Sequence, residues 1–119
     1  MNVDATGAAL NRPGVLVVDD DRTLCTMASD ELGAAGFAVE TAVDGEAALK
    51  LLETFRPDII LLDVLLPGVD GITLCRRLRA APETRETPIS MMTGLDDLAS
   101  IRKAYEAGAT DFIIKPLNS

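Results

Sequence analysis

The sequence contains no histidine and no tryptophan, and aromatic residues amount to 3% of it. Without histidine the chain cannot by itself build a Ser-His-Asp or Cys-His hydrolase, most zinc sites, or a phosphohistidine relay. Cysteine is scarce too. Cys25 and Cys75 lie far apart and outside any CxxC spacing, so they read as structural thiols of a reducing compartment. No apolar run approaches the roughly 20 residues that a bilayer-spanning helix needs. The start, Met-Asn-Val-Asp-Ala-Thr-Gly, has no basic segment followed by an apolar one, and so no signal peptide. A cytoplasmic protein without a membrane partner is the expectation. Basic residues are outnumbered, 11 Lys and Arg against 19 Asp and Glu, and the net charge of -8 repels phosphate backbones. Direct nucleic-acid binding is therefore not expected. Arg76, Arg77 and Arg79 form the one dense basic cluster, and they read as the solvated face of a helix.

What is present is ordinary for a small globular domain: 119 residues, 48% hydrophobic and 25% charged, enough for one sizeable core. Residues 1–13 are small, polar and aperiodic, a loose leader. From residue 14 onward, short apolar runs alternate with segments of helical period. Strands are expected at 15–18, 37–41, 59–62, 88–93 and 111–114. Helices are expected at 22–34, from Asp44-Gly45 to just before Pro57, at 71–80, and at 96–107. Leu98, Ile101, Ala104 and Tyr105 lie on one side of the last of these, and Gly108 is its left-handed stop.

That order predicts an α/β fold, a doubly wound parallel five-stranded sheet with right-handed crossovers and the flavodoxin-like strand order 2-1-3-4-5. A fifth helix should follow, with Asn118 or Ser119 as its N-cap. The sequence stops there, so the expectation is a domain over 14–119 truncated before its last helix, in a protein that natively continues.

Two apolar strands end in carboxylates. The run Ile59-Ile60-Leu61-Leu62, which reads as a strand buried on both faces, ends in Asp63. Pro67, Asp70 and Gly71 then lift the chain away toward a helix. The run Val15-Leu16-Val17-Val18 ends in Asp19, Asp20 and Asp21. In strand order 2-1-3-4-5 these ends are neighbours, on the sheet edge where open α/β folds bind ligands. Like charges at about 4 Å repel by on the order of 4 kcal/mol at an effective dielectric near 20, so a cation is expected among them. An all-oxygen donor set selects Mg²⁺ or Mn²⁺ over zinc or copper. Magnesium binds through one or two carboxylates and keeps room for a phosphate oxygen, which leaves one carboxylate as a nucleophile toward phosphorus. Asp63 is assigned that role. Thr93 and Lys115 end strands four and five at the same edge, a hydroxyl and an ammonium to meet the charge spread over three phosphoryl oxygens.

The pair Asp19-Asp20 after an apolar strand, the element Asp63-xxx-Pro67-xxx-Gly71, Thr93 followed by a small residue, and Lys115-Pro116 together resemble the receiver domain of two-component response regulators. The resemblance covers about residues 14–117. It implies that Asp63 is the phosphoacceptor and that Asp19, Asp20, Asp63 and the backbone carbonyl of Leu65 hold Mg²⁺. Thr93 and Lys115 would contact the phosphoryl group, and Phe112 would turn inward with Thr93 as a switch. The donor would be a phosphohistidine on a separate sensor histidine kinase or phosphotransfer protein. The chain would then be no enzyme beyond its own phosphorylation and dephosphorylation. The Lys115-Pro116 peptide is expected cis, as it commonly is in the family.

Leu65 and Leu95, two residues after Asp63 and Thr93, stand where other receivers often carry polar residues, and apolar groups there cannot orient an attacking water. Slow self-dephosphorylation is expected. Without the fifth helix, apolar sheet surface should be open, and self-association as a homodimer or by domain exchange follows. An output domain, C-terminal in the native protein, is implied, and the ending Asp111 to Asn118 resembles receivers fused to diguanylate cyclase domains.

The main rival is an enzyme. Val15 to Leu24 also fits hhhhDxDxTL, which resembles the first motif of haloacid-dehalogenase phosphatases, with Asp19 as nucleophile and Asp21 as acid/base. That family places an acidic pair late in the chain, and here Lys115-Pro116 stands there instead. A receiver fold kept only as an unphosphorylated binding module would not need the set Asp19, Asp20, Asp63, Thr93 and Lys115. A flavodoxin would need a Ser/Thr/Gly-rich phosphate loop after strand one.

Overall fold

The computed structural model describes residues 12–94 and 98–115. Most of the leader, Leu95, the first two residues of the expected fourth helix, and Pro116 with its peptide bond lie outside the described residues, as do Asn118 and Ser119. Nine elements alternate: β1 (Gly14–Val18), α1 (Arg22–Ala34), β2 (Ala38–Ala42), α2 (Gly45–Leu51), β3 (Ile59–Asp63), α3 (Gly71–Ala80), β4 (Ile89–Thr93), α4 (Leu98–Glu106) and β5 (Asp111–Ile114). All five strands pair in parallel in the order β2-β1-β3-β4-β5, as the alternation implied.

Helix starts follow cap chemistry. Asp21, Asp44 and Asp70 each sit at an N-cap in extended backbone and accept a backbone N–H three residues on, from Leu24, Ala47 and Thr73. The end of α2 differs from expectation. Its apolar stripe runs on to Phe55, but the helix closes at Leu51 and residues 52–54 form turns, while Phe55 still packs on the core. Hydrophobic spacing marks the buried face and not the helix end.

Side-chain alternation along the strands divides the core in two. Leu16, Val18, Ile60, Leu62, Ile89 and Met91 face one layer with Ala48, Leu74, Leu78 and Ala104 from α2, α3 and α4 and with Leu52 just past α2. Val15, Val17 and Met92 face the other with Cys25 of α1. Among the described residues α1 alone covers that second face. Ile59 and Leu61 of β3 are therefore only half-buried, which corrects the reading of that strand as buried on both faces. A groove of about 650 Å³ opens there, along Leu24, Met27, Ala28, Leu32 and Leu61.

On α4, Ala104 is fully buried but Leu98 and Tyr105 stand 73% and 47% exposed, so the apolar side of this helix is covered only in part. Arg76 and Arg77 are exposed as anticipated, yet Arg79 is not simply solvated. Its guanidinium donates to the carbonyls of Gly108, Thr84, Arg85 and Thr87 and to the Thr110 hydroxyl. It clamps the end of α3 to the turns that feed β4 and β5.

Candidate functional site

The register brings the acidic strand ends level. Val18 pairs with Leu62, so Asp19 leaves β1 beside Asp63 at the end of β3. Asp63 pairs with Met92 and Thr93 with Ile114, which puts Thr93 and Lys115 one step further along the same edge. One oxygen from each of Asp19, Asp20 and Asp63 lies within 4.8 Å of the others. The structure thus joins four of the expected residues directly, since the Lys115 ammonium reaches Asp19 Oδ2 at 2.6 Å and Asp63 Oδ2 at 3.2 Å.

Each side chain is set from the backbone outward. The Asp19 N–H donates to the Ala42 carbonyl at 2.9 Å, and Asp19 Oδ1 accepts the Asp21 N–H at 2.9 Å. Asp63 Oδ1 accepts the Leu65 N–H at 3.2 Å. Gly71 N–H donates to the Val64 carbonyl at 2.9 Å and folds the β3–α3 loop back under the site. Lys115 N–H donates to the Thr93 carbonyl at 2.7 Å, which fixes both residues at the rim. Thr93 is fully buried, Asp20 is exposed, and the Leu65 side chain stands 56% exposed just past Asp63. Phe112 is half-buried against the larger core cluster, a packing position in this structure.

Burial and then the charge of Asp19 push the Asp63 carboxyl above the ordinary carboxylate range, against the Leu65 N–H and the Lys115 ammonium. For Lys115, burial favours the neutral amine, but contacts with Asp19 and Asp63 outweigh it and its pKa is raised. Because the folded state holds the Asp63 proton more tightly than the unfolded chain, this group lowers stability above its folded-state pKa and ceases to do so as pH falls through it. Asp63→Asn is therefore expected to raise the stability of the metal-free protein at neutral pH by on the order of 1 kcal/mol, allowing for the lost Lys115 contact. Urea unfolding across pH measures this. The gap should close in acid; a variant less stable than wild type at pH 7 would contradict the electrostatic account.

The donor set suits a small divalent cation: three carboxylates, no nitrogen or sulfur ligand, and one exposed member to admit waters. Asp19 Oδ2 is buried and is met by the Lys115 ammonium at 2.6 Å, so this buried carboxylate is already compensated by one cation. Asp21, by contrast, is engaged as the α1 N-cap, its Oδ1 accepting the Leu24 N–H at 3.1 Å. The rival reading needed that carboxylate as an acid/base. The spacing Asp21-x-x-Leu24 before a helical period already carried the cap signal. Sequence reading missed Cys25, whose thiol donates to the Asp19 carbonyl at 3.2 Å.

Residues 15–119 match the family model described as the response regulator receiver domain. The chain belongs to that family. It is 42% identical over 104 residues to the response regulator PleD of Caulobacter vibrioides, which covers 87% of this chain and 23% of PleD. The receiver thus spans less than a quarter of that relative's length. Among solved structures, chemotaxis protein CheY4 of Vibrio cholerae superposes with a TM-score of 0.86 at 34% identity, covering 90% of this chain and 89% of that one. A response regulator protein from Burkholderia pseudomallei, solved with a phosphorylated aspartic acid, a calcium ion and citrate, superposes with a TM-score of 0.82 at 27% identity, covering 89% and 61%. Among the described residues, no helix of the receiver is long and apolar enough to cross a membrane.

Proposed function

We propose that this receiver takes a phosphoryl group on Asp63 from a phosphohistidine of a sensor kinase or phosphotransfer protein, in the cytoplasm, and passes the signal to an output domain of a longer protein. The observation that carries the reading is the convergence of Asp19, Asp20 and Asp63 within 4.8 Å, with the Lys115 ammonium against two of them. The aspartyl phosphate and divalent ion in the Burkholderia relative support it.

In this reading Asp19, Asp20, Asp63 and the Leu65 carbonyl hold Mg²⁺ or Mn²⁺. When bound, the ion neutralises carboxylate repulsion and offsets charge on the phosphoryl oxygens. An Asp63 oxygen forms the new bond to phosphorus as the P–N bond to the donor imidazole breaks, its electron pair going to nitrogen. Lys115 stands 3.2 Å from Asp63 and is held charged, so it supplies a cation to the transferred group. Thr93 offers its hydroxyl from the neighbouring strand end, and Phe112 follows it as a switch.

Intact mass after incubation with acetyl phosphate and Mg²⁺ tests the proposal. Wild type should gain one phosphoryl group and Asp63→Asn none; uptake retained in Asp63→Asn but lost in Asp19→Asn would favour the phosphatase reading instead. Because Leu65 offers no polar group over Asp63, replacing it by Asn should speed loss of the label several-fold, about one order of magnitude at most. Decay rates of the phosphorylated forms in Mg²⁺ measure this, and an unchanged or slower rate would contradict it.

A further inference from the structure

Asp19 is held by four contacts: its N–H on Ala42, its carbonyl under the Cys25 thiol, and its two carboxylate oxygens on Asp21 N–H and Lys115. Of these, the thiol contact is made by a side chain of α1. Cys25 is 5% exposed, packs with Val15, Val17 and Met92, and is itself fixed by its N–H on the Asp21 carbonyl at 3.0 Å. The carbonyl it bonds belongs to the peptide joining Asp19 to Asp20. The thiol holds that peptide plane, and the Asp19 N–H bond to the Ala42 carbonyl holds the preceding Val18–Asp19 plane, so the backbone on both sides of the Asp19 Cα is fixed and with it the direction in which the carboxylates leave the strand. A thiol suits the place because it is a small hydrophobe with one weak donor, which apolar neighbours tolerate better than an alcohol.

We propose that Cys25 is a positioning residue for the divalent-ion site: its thiol fixes the Asp19–Asp20 peptide and thereby the aim of two ion ligands. The proposal rests on the reading of Asp19, Asp20 and Asp63 as ligands. Electron paramagnetic titration with Mn²⁺ alone tests it on the 119-residue chain, with Cys25→Val to keep volume and remove the donor and Cys25→Ser to keep a donor. Removing a weak buried hydrogen bond is expected to weaken Mn²⁺ binding about three- to fivefold in Cys25→Val, with Cys25→Ser within about twofold of wild type. The phosphorylation rate at saturating Mg²⁺ should stay unchanged while the half-saturating concentration rises in step. Equal Mn²⁺ affinity in wild type and Cys25→Val, or Cys25→Ser as weak as Cys25→Val, would overturn the positioning role. If branching at the helix position unfolds Cys25→Val, Cys25→Ala carries the same expectation. Wild type failing to bind Mn²⁺ at all would instead overturn the ion-site reading beneath it.

Discussion

Gly71→Ala is expected to destabilise the receiver by about 3 kcal/mol or more and to abolish phosphoryl uptake at any Mg²⁺ concentration. A Cβ built on Gly71 falls 2.0 Å from the carbonyl oxygen of Asp63, and 2.8 Å from the Val64 Cα. Both obstacles are backbone, so no rotamer change relieves the overlap. The chain can respond by moving the first turn of α3 away from β3, which breaks the Gly71 N–H to Val64 carbonyl bond, or by tilting the Asp63 peptide. The first loosens the loop between strand and helix, and the second turns the nucleophile out of its place beside Asp19 and Lys115. Urea unfolding and intact mass read the two effects. Wild-type stability in Gly71→Ala would show that the loop accommodates a methyl group and that close approach is not what the glycine provides.

Arg79→Met should shift the urea midpoint downward by an amount equivalent to about 2–3 kcal/mol, with phosphoryl uptake retained. Methionine keeps much of the apolar stem, so the loss isolates the guanidinium. Four carbonyls and one hydroxyl each lose a donor, among them the Gly108 carbonyl at 2.7 Å and the Thr87 carbonyl at 2.6 Å, while the Thr84 carbonyl keeps the Thr87 N–H and the Thr110 hydroxyl keeps the Ile89 N–H. These groups lie where the chain enters β4 and β5, at the edge opposite the carboxylates, which is why the site should survive. Gly108 is part of the same device. It holds φ at +104°, and a Cβ there would lie 2.6 Å from Arg79 Cγ. A midpoint unchanged within error would mean that solvent replaces the clamp freely and that Arg79 is, after all, an ordinary surface arginine.

The sheet and its acidic edge were legible because each rests on a local signal. Four-residue apolar runs ending in Asp63 or in Asp19-Asp20 give strand and strand end at once, and the alternation of strand with helix leaves few ways to order them. The start of α2 at Asp44 was legible for the same reason, whereas Asp21 and Asp70 were read as a strand end and a loop residue and prove to be N-caps of the same kind. What escaped depends on how loops and helices pack once the sheet has formed. Arg79 meets residues 84–87 and 108–110 only once α3 and α4 pack side by side, and composition alone gives it the same reading as Arg76 and Arg77. Cys25 looked like any buried thiol until Asp19 lay over it. The end of α2 and the outward turn of Leu98 and Tyr105 escaped because apolar spacing reports a face without saying what covers it.

The central claim is that these strand ends make Asp63 the residue that carries the phosphoryl group. Borohydride reduction of acetyl phosphate-treated protein followed by peptide mass mapping tests it, since an acyl phosphate is reduced to an alcohol at the residue that formed it. The reduced side chain should appear at position 63, dependent on Mg²⁺ and absent from Asp63→Asn. Reduction at Asp19 or Asp20, or no reduced aspartate in protein that had gained the phosphoryl mass, would contradict the account.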